Sequence, residues 1–388
     1  MKKIGVEEKG IQIMLPKSRN ITLKIKDLPY PAANILKQQM LSVGGECAVS
    51  KHALLNSGGK TDVLLIGDKR HYSVLIEKLK NQYFALDELG EEIRKFINSE
   101  NKKRIFRCRD KYLDLSEKTY IMGIINVTPD SFSDGGKYKS VDEAVESALR
   151  MVDEGADIID IGGESTRPGA EPVPLEEELN RVIPVIKKLR EQTDAVISID
   201  TYKSEVAEEA LKYGADIVND ISGFHFDKRM PEIVLKYNAG VILMHIKGTP
   251  RDMQKNPAYE NLVEEIIDYF AYSIDIAKET GIDNGSIMID PGIGFGKKWQ
   301  DNYLIIRYLK EFKSLGYPIL IGPSRKSFIG YLLDLPVEER LEGTISAVVC
   351  SILNGADIVR VHDVKEVARA VAVADAIAGK NKKFYEEI

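Results

Sequence analysis

Ile121-Met122-Gly123-Ile124-Ile125-Asn126-Val127-Thr128-Pro129-Asp130-Ser131-Phe132-Ser133-Asp134-Gly135-Gly136 runs from an unbroken apolar stretch into a polar, glycine-closed loop. The residues up to Ile125 do not alternate with polar ones, which is the pattern of a strand buried on both faces. The next helix is expected near Asp142, about fifteen residues on, whereas strand-to-helix connections usually take about two to six. Loops of that length tend to carry function, and Pro129, Phe132 and Gly135-Gly136 point to defined turns rather than a disordered insertion.

The same pattern recurs downstream. Apolar runs at 120–125, 157–161, 195–199, 216–218, 241–244, 287–289, 318–321 and 357–361 are each followed by helical periodicity. The tripeptide Gly-Ala-Asp stands before three of them, at Gly155-Ala156-Asp157, Gly214-Ala215-Asp216 and Gly355-Ala356-Asp357, where the glycine can end a helix in a left-handed conformation. Repeated strand-helix units over a segment near the ~250 residues typical of a (β/α)8 TIM barrel predict that fold, with an open doubly wound sheet as the alternative.

Residues 1–115 read as a small α/β N-terminal domain and 116–388 as the barrel. Strands are expected at Ile21–Ile25 and Asp62–Gly67, and helices at Ala32–Leu41, Tyr72–Lys80 and Leu86–Phe96. Gly59-Lys60-Thr61 resembles the end of a phosphate loop, but Leu54 occupies the position of the first glycine. His52 and His71 lack metal-ligand spacing. The basic stretch Lys102–Arg109 reads as a solvated linker or short strand before the main domain.

A net charge of −6 on 388 residues, with 29% charged side chains of both signs, gives no footprint for nucleic acid. No apolar run reaches the ~20 residues of a spanning helix. Cys47, Cys108 and Cys350 are odd in number and far apart, as reduced thiols would be. A cytoplasmic protein without membrane attachment is expected.

In a closed barrel, active-site groups sit where strands end. The polar residues there are Asn126; Glu164, Ser165, Thr166 and Arg167; Asp200; Asn219 and Asp220; His245; Asp290; Ser324, Arg325 and Lys326; Arg360, His362 and Asp363. Asp200, Asn219 and Asp290 offer acceptors for a flat heterocycle bearing an amino group and a ring N–H. Arg167, Lys326, Arg360 and His362 offer cationic donors for a phosphate or another anion. The ligand should have a donor edge and an anionic tail. Mg²⁺ held by Asn126 and phosphate oxygens fits that chemistry. Asp290-Pro291-Gly292-Ile293-Gly294-Phe295-Gly296-Lys297 lacks the final spacing of a dinucleotide fingerprint and reads as a tight loop displaying Asp290.

Taken in order, Asn126–Phe132, Glu164–Gly169, Ser198–Thr201, Asn219–Gly223, the Asp290 loop, Ser324–Phe328 and Arg360–Asp363 resemble dihydropteroate synthase, with a weaker match at Leu243–Gly248 where Ile246-Lys247 departs from the usual Met-Gln. That resemblance implies condensation of para-aminobenzoate with dihydropterin-hydroxymethyl diphosphate in folate synthesis, by a homodimer that uses Mg²⁺. It implies that Asp200, Asn219, Asp290 and Lys326 hold the pterin, with Arg360 stacked on it and Met244 beside it. Asn126, Arg167, Arg360 and His362 would receive the diphosphate with its Mg²⁺. Thr166, Pro168, Phe132, Phe295 and Ser327 would shape the arylamine pocket. Lys326, Arg360, His362 and Asp200 form the catalytic set of this resemblance. A corrinoid methyltransferase using methyltetrahydrofolate, or a non-catalytic pterin-binding protein, are the competing readings.

Overall fold

The computed structural model describes residues 1–55, 58–99, 104–127, 140–165 and 169–380. It forms two compact units, Met1–Lys102 and Lys103–Ile388.

In the first unit, β1 (Asn20–Pro29), β2 (Glu46–Val49) and β3 (Lys60–Asp68) make an antiparallel sheet in the order β1-β3-β2. Ile21, Leu23 and Ile25 alternate onto a core of Leu36, Met40, Val63, Leu65, Tyr72 and Leu75, to which helices Tyr30–Ser42 and Lys69–Leu79 contribute. The expected strands and helices are present; β2 and a helix at Glu8–Met14 were not anticipated. Lys60 opens a strand rather than a helix, so the phosphate-loop likeness has no helix N-terminus behind it. His71 is a capping residue: its amide donates to Asp68 at 2.9 Å and its Nδ1 accepts from the Asp68 amide at 3.0 Å.

The second unit starts with a hairpin of β4 (Ile105–Cys108) and β5 (Lys111–Asp114). Eight parallel strands follow: β6 (Tyr120–Asn126), β7 (Ile158–Gly162), β8 (Val196–Asp200), β9 (Ile217–Asp220), β10 (Gly240–Met244), β11 (Ile287–Asp290), β12 (Leu320–Ile321) and β13 (Ile358–Val361). Their order, β11-β10-β9-β8-β7-β6-β13-β12, is closed by a parallel bridge between Ile289 and Ile319. This bridge makes the sheet a barrel.

Alternation along each strand divides the side chains. Ile121, Ile159, Ile161, Ile197, Ile199, Val218, Leu243 and Val359 belong to the large core outside the barrel wall, with the surrounding helices. Tyr120, Met122, Ile158, Val196, Ile217, Ile242, Met288, Leu320 and Ile358 form a separate cluster, the lower layer of the interior. Phe106, Cys108, Leu113 and Leu115 belong to this same cluster, so the hairpin is the barrel's floor.

That packing corrects one expectation and decides another. The division between units falls after Lys102, not at residue 115, because the hairpin's apolar side chains are buried with the barrel interior. Of the two readings of the basic stretch, the short strand is the one observed, as β4, and its flanking cations are paired. Arg104 pairs with Asp357 at 2.6 Å, Lys111 with Asp216 at 3.0 Å, and Lys118, just beyond the hairpin, with Asp157 at 2.5 Å.

Candidate active site

Two steps above the apolar floor, the same inward-facing register becomes polar. On β7 and β8, Asp160 lies opposite Ser198; one step higher, Gly162 lies opposite Asp200, which is itself opposite Asn219 on β9. Asp290 ends β11, and Arg360 lies on β13 opposite Met122 of β6. Strand register therefore assembles acceptors and cations at the carboxyl end of the barrel.

Arg360 organises this layer. Its Nε donates to Asp160 and its Nη2 to Asp200, each at 2.6 Å. Burial works against the guanidinium charge, but Asp160 and Asp200 outweigh it and hold the group above its ordinary range. Burial also pushes the Asp200 carboxyl up to about 7 and the Lys326 ammonium down to about 8. Asp290 is likewise raised by burial, although its Oδ1 accepts the Gly292 amide at 2.8 Å.

Asn219 donates to Asp160 at 3.1 Å. The buried atoms Asp160 Oδ1, Ser198 Oγ and Asn219 Oδ1 have no hydrogen-bond partner among the described residues. Orphaned polar atoms cost stability unless a ligand or water meets them. Three of them on adjacent strands mark a surface made for a ligand with hydrogen-bonding edges. Asp160 was absent from the expected site residues; its signal is a carboxylate in the middle of the otherwise apolar Ile158-Ile159-Asp160-Ile161.

The loops bring further groups to the mouth. Lys326 donates to the Ile293 carbonyl, and its ammonium lies 4.4 Å from the centre of the half-buried Phe295 ring. The loop after β11 needs its glycines: Gly292 has φ +70°, and a Cβ there would stand 2.1 Å from the His245 carbonyl oxygen. Met244 is buried with Ile221, Ile246 and Met253, and Phe295 packs against them. Ile246 thus fills an apolar cluster, while Lys247 turns to Glu265 at 3.1 Å and lies over the Tyr259 ring at 4.1 Å. The departure at Ile246-Lys247 is accommodated without a charge left in the apolar cluster.

Ser324 and His362 share a contact of 3.0 Å between Oγ and Nδ1. Arg325 is not an additional cation for an anionic tail: both ends of its guanidinium engage Asp363, with Nε to Oδ2 at 2.8 Å. Asp220 accepts from Ser222 and Phe224 amides at 2.8 Å and is a turn-forming residue. His245 is buried against Lys297, Nζ to Nδ1 2.8 Å, and burial lowers the pKa of both. Ser327 is exposed at the start of helix Ser327–Leu333, in a cleft with Tyr331, Pro336 and Arg340. Thr166, Arg167, Pro168 and Phe132 lie outside the described residues.

Asn126 ends β6, opposite Gly162. No group of three or more His, Cys, Asp or Glu suited to a metal occurs among the described residues. One amide oxygen suits an ion that arrives with phosphate oxygens rather than a resident metal. No helix among the described residues is long and apolar enough to cross a membrane.

The pattern of the pterin binding enzyme family matches residues 122–362, which contain this entire polar layer. Dihydropteroate synthase of Clostridium beijerinckii is 52% identical over 268 residues, 69% of this chain and 97% of that protein. The chain belongs to the dihydropteroate synthase family. A solved dihydropteroate synthase of Clostridium difficile, crystallised in the presence of pteroic acid, superposes with a TM-score of 0.65 at 52% identity, covering 68% of this chain and 98% of that one. The alignment with a probable bifunctional folylpolyglutamate synthase/dihydropteroate synthase of Haloferax volcanii is longer. It runs over 360 residues at 39% identity, 90% of this chain and 42% of that protein, and so takes in part of the first unit. The synthase family's barrel and this chain's polar mouth therefore coincide in the same stretch.

Proposed function

We propose that this chain is a transferase that joins para-aminobenzoate to the methylene carbon of dihydropterin-hydroxymethyl diphosphate, giving dihydropteroate and pyrophosphate for folate biosynthesis. The observation that carries the reading is the buried layer in which Arg360 bridges Asp160 and Asp200 beside the orphaned Asn219 oxygen. A pterin presents an amino group and ring N–H groups, and these can take the orphaned acceptors and replace the guanidinium on Asp200. Arg360 keeps Asp160 when that exchange occurs, so its charge stays compensated and its plane is available to the ring. Asp290 and Lys326 complete the pterin end.

The arylamine is neutral at pH 7, so its attack requires no strong base. The demanding event is loss of the diphosphate, and preorganised cations lower its barrier by meeting the growing negative charge. Lys326, Arg360 and His362 are the side chains we assign to that task, together with Arg167. Asn126 would hold Mg²⁺, which, when bound with the diphosphate, neutralises the departing oxygens. Phe295, Phe132, Thr166, Pro168 and Ser327 are assigned to the arylamine side. We also propose a homodimer, which the exposed Tyr331, Leu332, Leu333, Val373 and Ile377 support as apolar surface and which light scattering would test.

The deciding experiment is pyrophosphate release by the full chain with dihydropterin-hydroxymethyl diphosphate and Mg²⁺, with and without para-aminobenzoate. Release that depends on the arylamine is expected. Binding of the pterin diphosphate without release would instead support a non-catalytic pterin-binding protein.

A further inference from the structure

Thr201-Tyr202-Lys203 follows Asp200 directly and leads into helix Ser204–Lys212. These three side chains hold both oxygens of two carboxylates that come from elsewhere. Lys203 Nζ donates to Glu164 Oε2 at 2.6 Å, to Glu178 Oε2 at 2.5 Å and to the Val173 carbonyl at 2.6 Å. The Tyr202 hydroxyl donates to Glu164 Oε1 at 2.8 Å, and the Thr201 hydroxyl to Glu178 Oε1 at 2.8 Å.

The network is secluded. Glu178 and Glu164 side chains are 1% and 6% exposed, and that of Lys203 is 16%. Glu164 stands just beyond β7, Val173 lies shortly before helix Leu175–Arg190, and Glu178 lies within that helix. Arg181 of the same helix reaches back to the Gly163 carbonyl at 2.6 Å. Both stems of the β7 loop are therefore fastened to one ammonium, and that ammonium is fastened to the end of the Asp200 strand. In sequence, Ser165 to Pro172 separate the two stems.

We infer that Lys203 is a positioning residue for the arylamine half of the site: by tying Glu164 and Val173 to the strand that carries Asp200, it fixes both stems of the β7 loop relative to the bound pterin. The inference rests on the synthase reading for its consequence, but not for its geometry. A surface ion pair would contribute little; a buried cation shared by two carboxylates fixes relative position far more strictly. Asp200 ends β8 and takes no bond from Lys203, so the pterin end does not depend on the tie.

The test uses the full chain with Lys203→Met, Lys203→Arg and Tyr202→Phe. Lys203→Met is expected to raise KM for para-aminobenzoate by about tenfold or more, with KM for the pterin diphosphate within about twofold, because a full ~1 Å misplacement of a reacting partner can cost about a hundredfold and a smaller one correspondingly less. Lys203→Arg should restore most of the loss, and Tyr202→Phe should give the same split at smaller size. The amide of Gly169, which donates to the Pro250 carbonyl at 3.0 Å, should exchange hydrogen about tenfold faster in Lys203→Met, while β8 amides are unchanged. Equal rises in both KM values, or unchanged KM values together with unchanged Gly169 exchange, would overturn the inference. If Lys203→Met does not fold, the folded Tyr202→Phe decides by the same split. Wild-type protein that releases no pyrophosphate defeats the synthase reading instead, and the Gly169 exchange then decides the tie alone.

Discussion

The site holds its charges at a cost to stability, and pH exposes that cost. With its carboxyl pushed up to about 7 by burial, Asp200 keeps a proton in the folded chain between about pH 4 and 7 that the unfolded chain has lost, so its contribution to stability falls as pH rises through that window. Lys326, pushed down to about 8, releases its proton in the folded chain first, so stability rises with pH from about 8 to about 10.5. Between those windows both groups carry charge, which is the state the proposed chemistry needs. We expect kcat/KM for the pterin diphosphate to rise through pH 7 and fall above pH 8, with the alkaline limb moved beyond pH 9.5 in any active Lys326→Arg protein; a flat profile from pH 6 to 9 contradicts the assignment. Lys326→Ala and Asp290→Ala should each abolish turnover through loss of pterin binding, seen by calorimetry, and near-normal activity in both would remove these residues from the site. Asp160→Ala takes a partner from Arg360 and another from Asn219, and should cost about 3 kcal/mol in urea unfolding; a change under about 0.5 kcal/mol would show that the bridge to Asp200 suffices. Asp160→Asn keeps an acceptor and should cost less.

Among the elements, the three Gly-Ala-Asp repeats do one job at the barrel's lower rim. Asp157, Asp216 and Asp357 each accept a backbone amide from the neighbouring strand segment through Oδ2, from Ile121 at 3.0 Å, Ile197 at 2.9 Å and Ile319 at 3.0 Å. Their own amides donate to the Ile121, Ile197 and Ile319 carbonyls, closing a ring in each case. Asp357→Ala should therefore cost about 1–3 kcal/mol in urea unfolding while leaving both KM values unchanged, since the polar mouth is at the other end of the strands. The strands were legible because short apolar runs alternated with helical periodicity, and Asn126, Asp200, Asn219, Asp290 and His362 were legible because polarity switches where each run ends, while Arg360 stands out as a charge inside the last run. Closure was not: it depends on a single bridge, Ile289 to Ile319, that no local pattern records. Which strand residues face inward was also hidden, because both faces of a barrel strand are buried and the alternation appears only where Asp160, Ser198 or Asn219 interrupts it. Arg325 illustrates the converse: its type and position suit an anion, and only the fold shows that Asp363 claims it.

For the whole molecule, the placement of the hairpin decides where the catalytic unit begins. Phe106 and Leu115 are fully buried and Leu113 nearly so, within the layer that lines the barrel's floor. Burying a large apolar side chain is worth about 1.5–3 kcal/mol, so these three together contribute on the order of 5–9 kcal/mol, comparable with the whole net stability of about 5–15 kcal/mol typical of a domain. A chain starting at residue 116 would lose that layer and also the cations that Arg104 and Lys111 place on Asp357 and Asp216, leaving buried carboxylates with fewer partners. A chain of residues 103–388 keeps all of it. We expect 103–388 to melt cooperatively and to release pyrophosphate in an arylamine-dependent manner, and 116–388 to be insoluble or to melt at least 10 °C lower, a shift that about 5 kcal/mol readily produces in a unit of this size. Equal melting temperatures for the two would mean that the barrel floor is stable without its hairpin, and failure of 103–388 alone to fold would make Met1–Lys102 part of the catalytic unit's stability rather than an accessory to it.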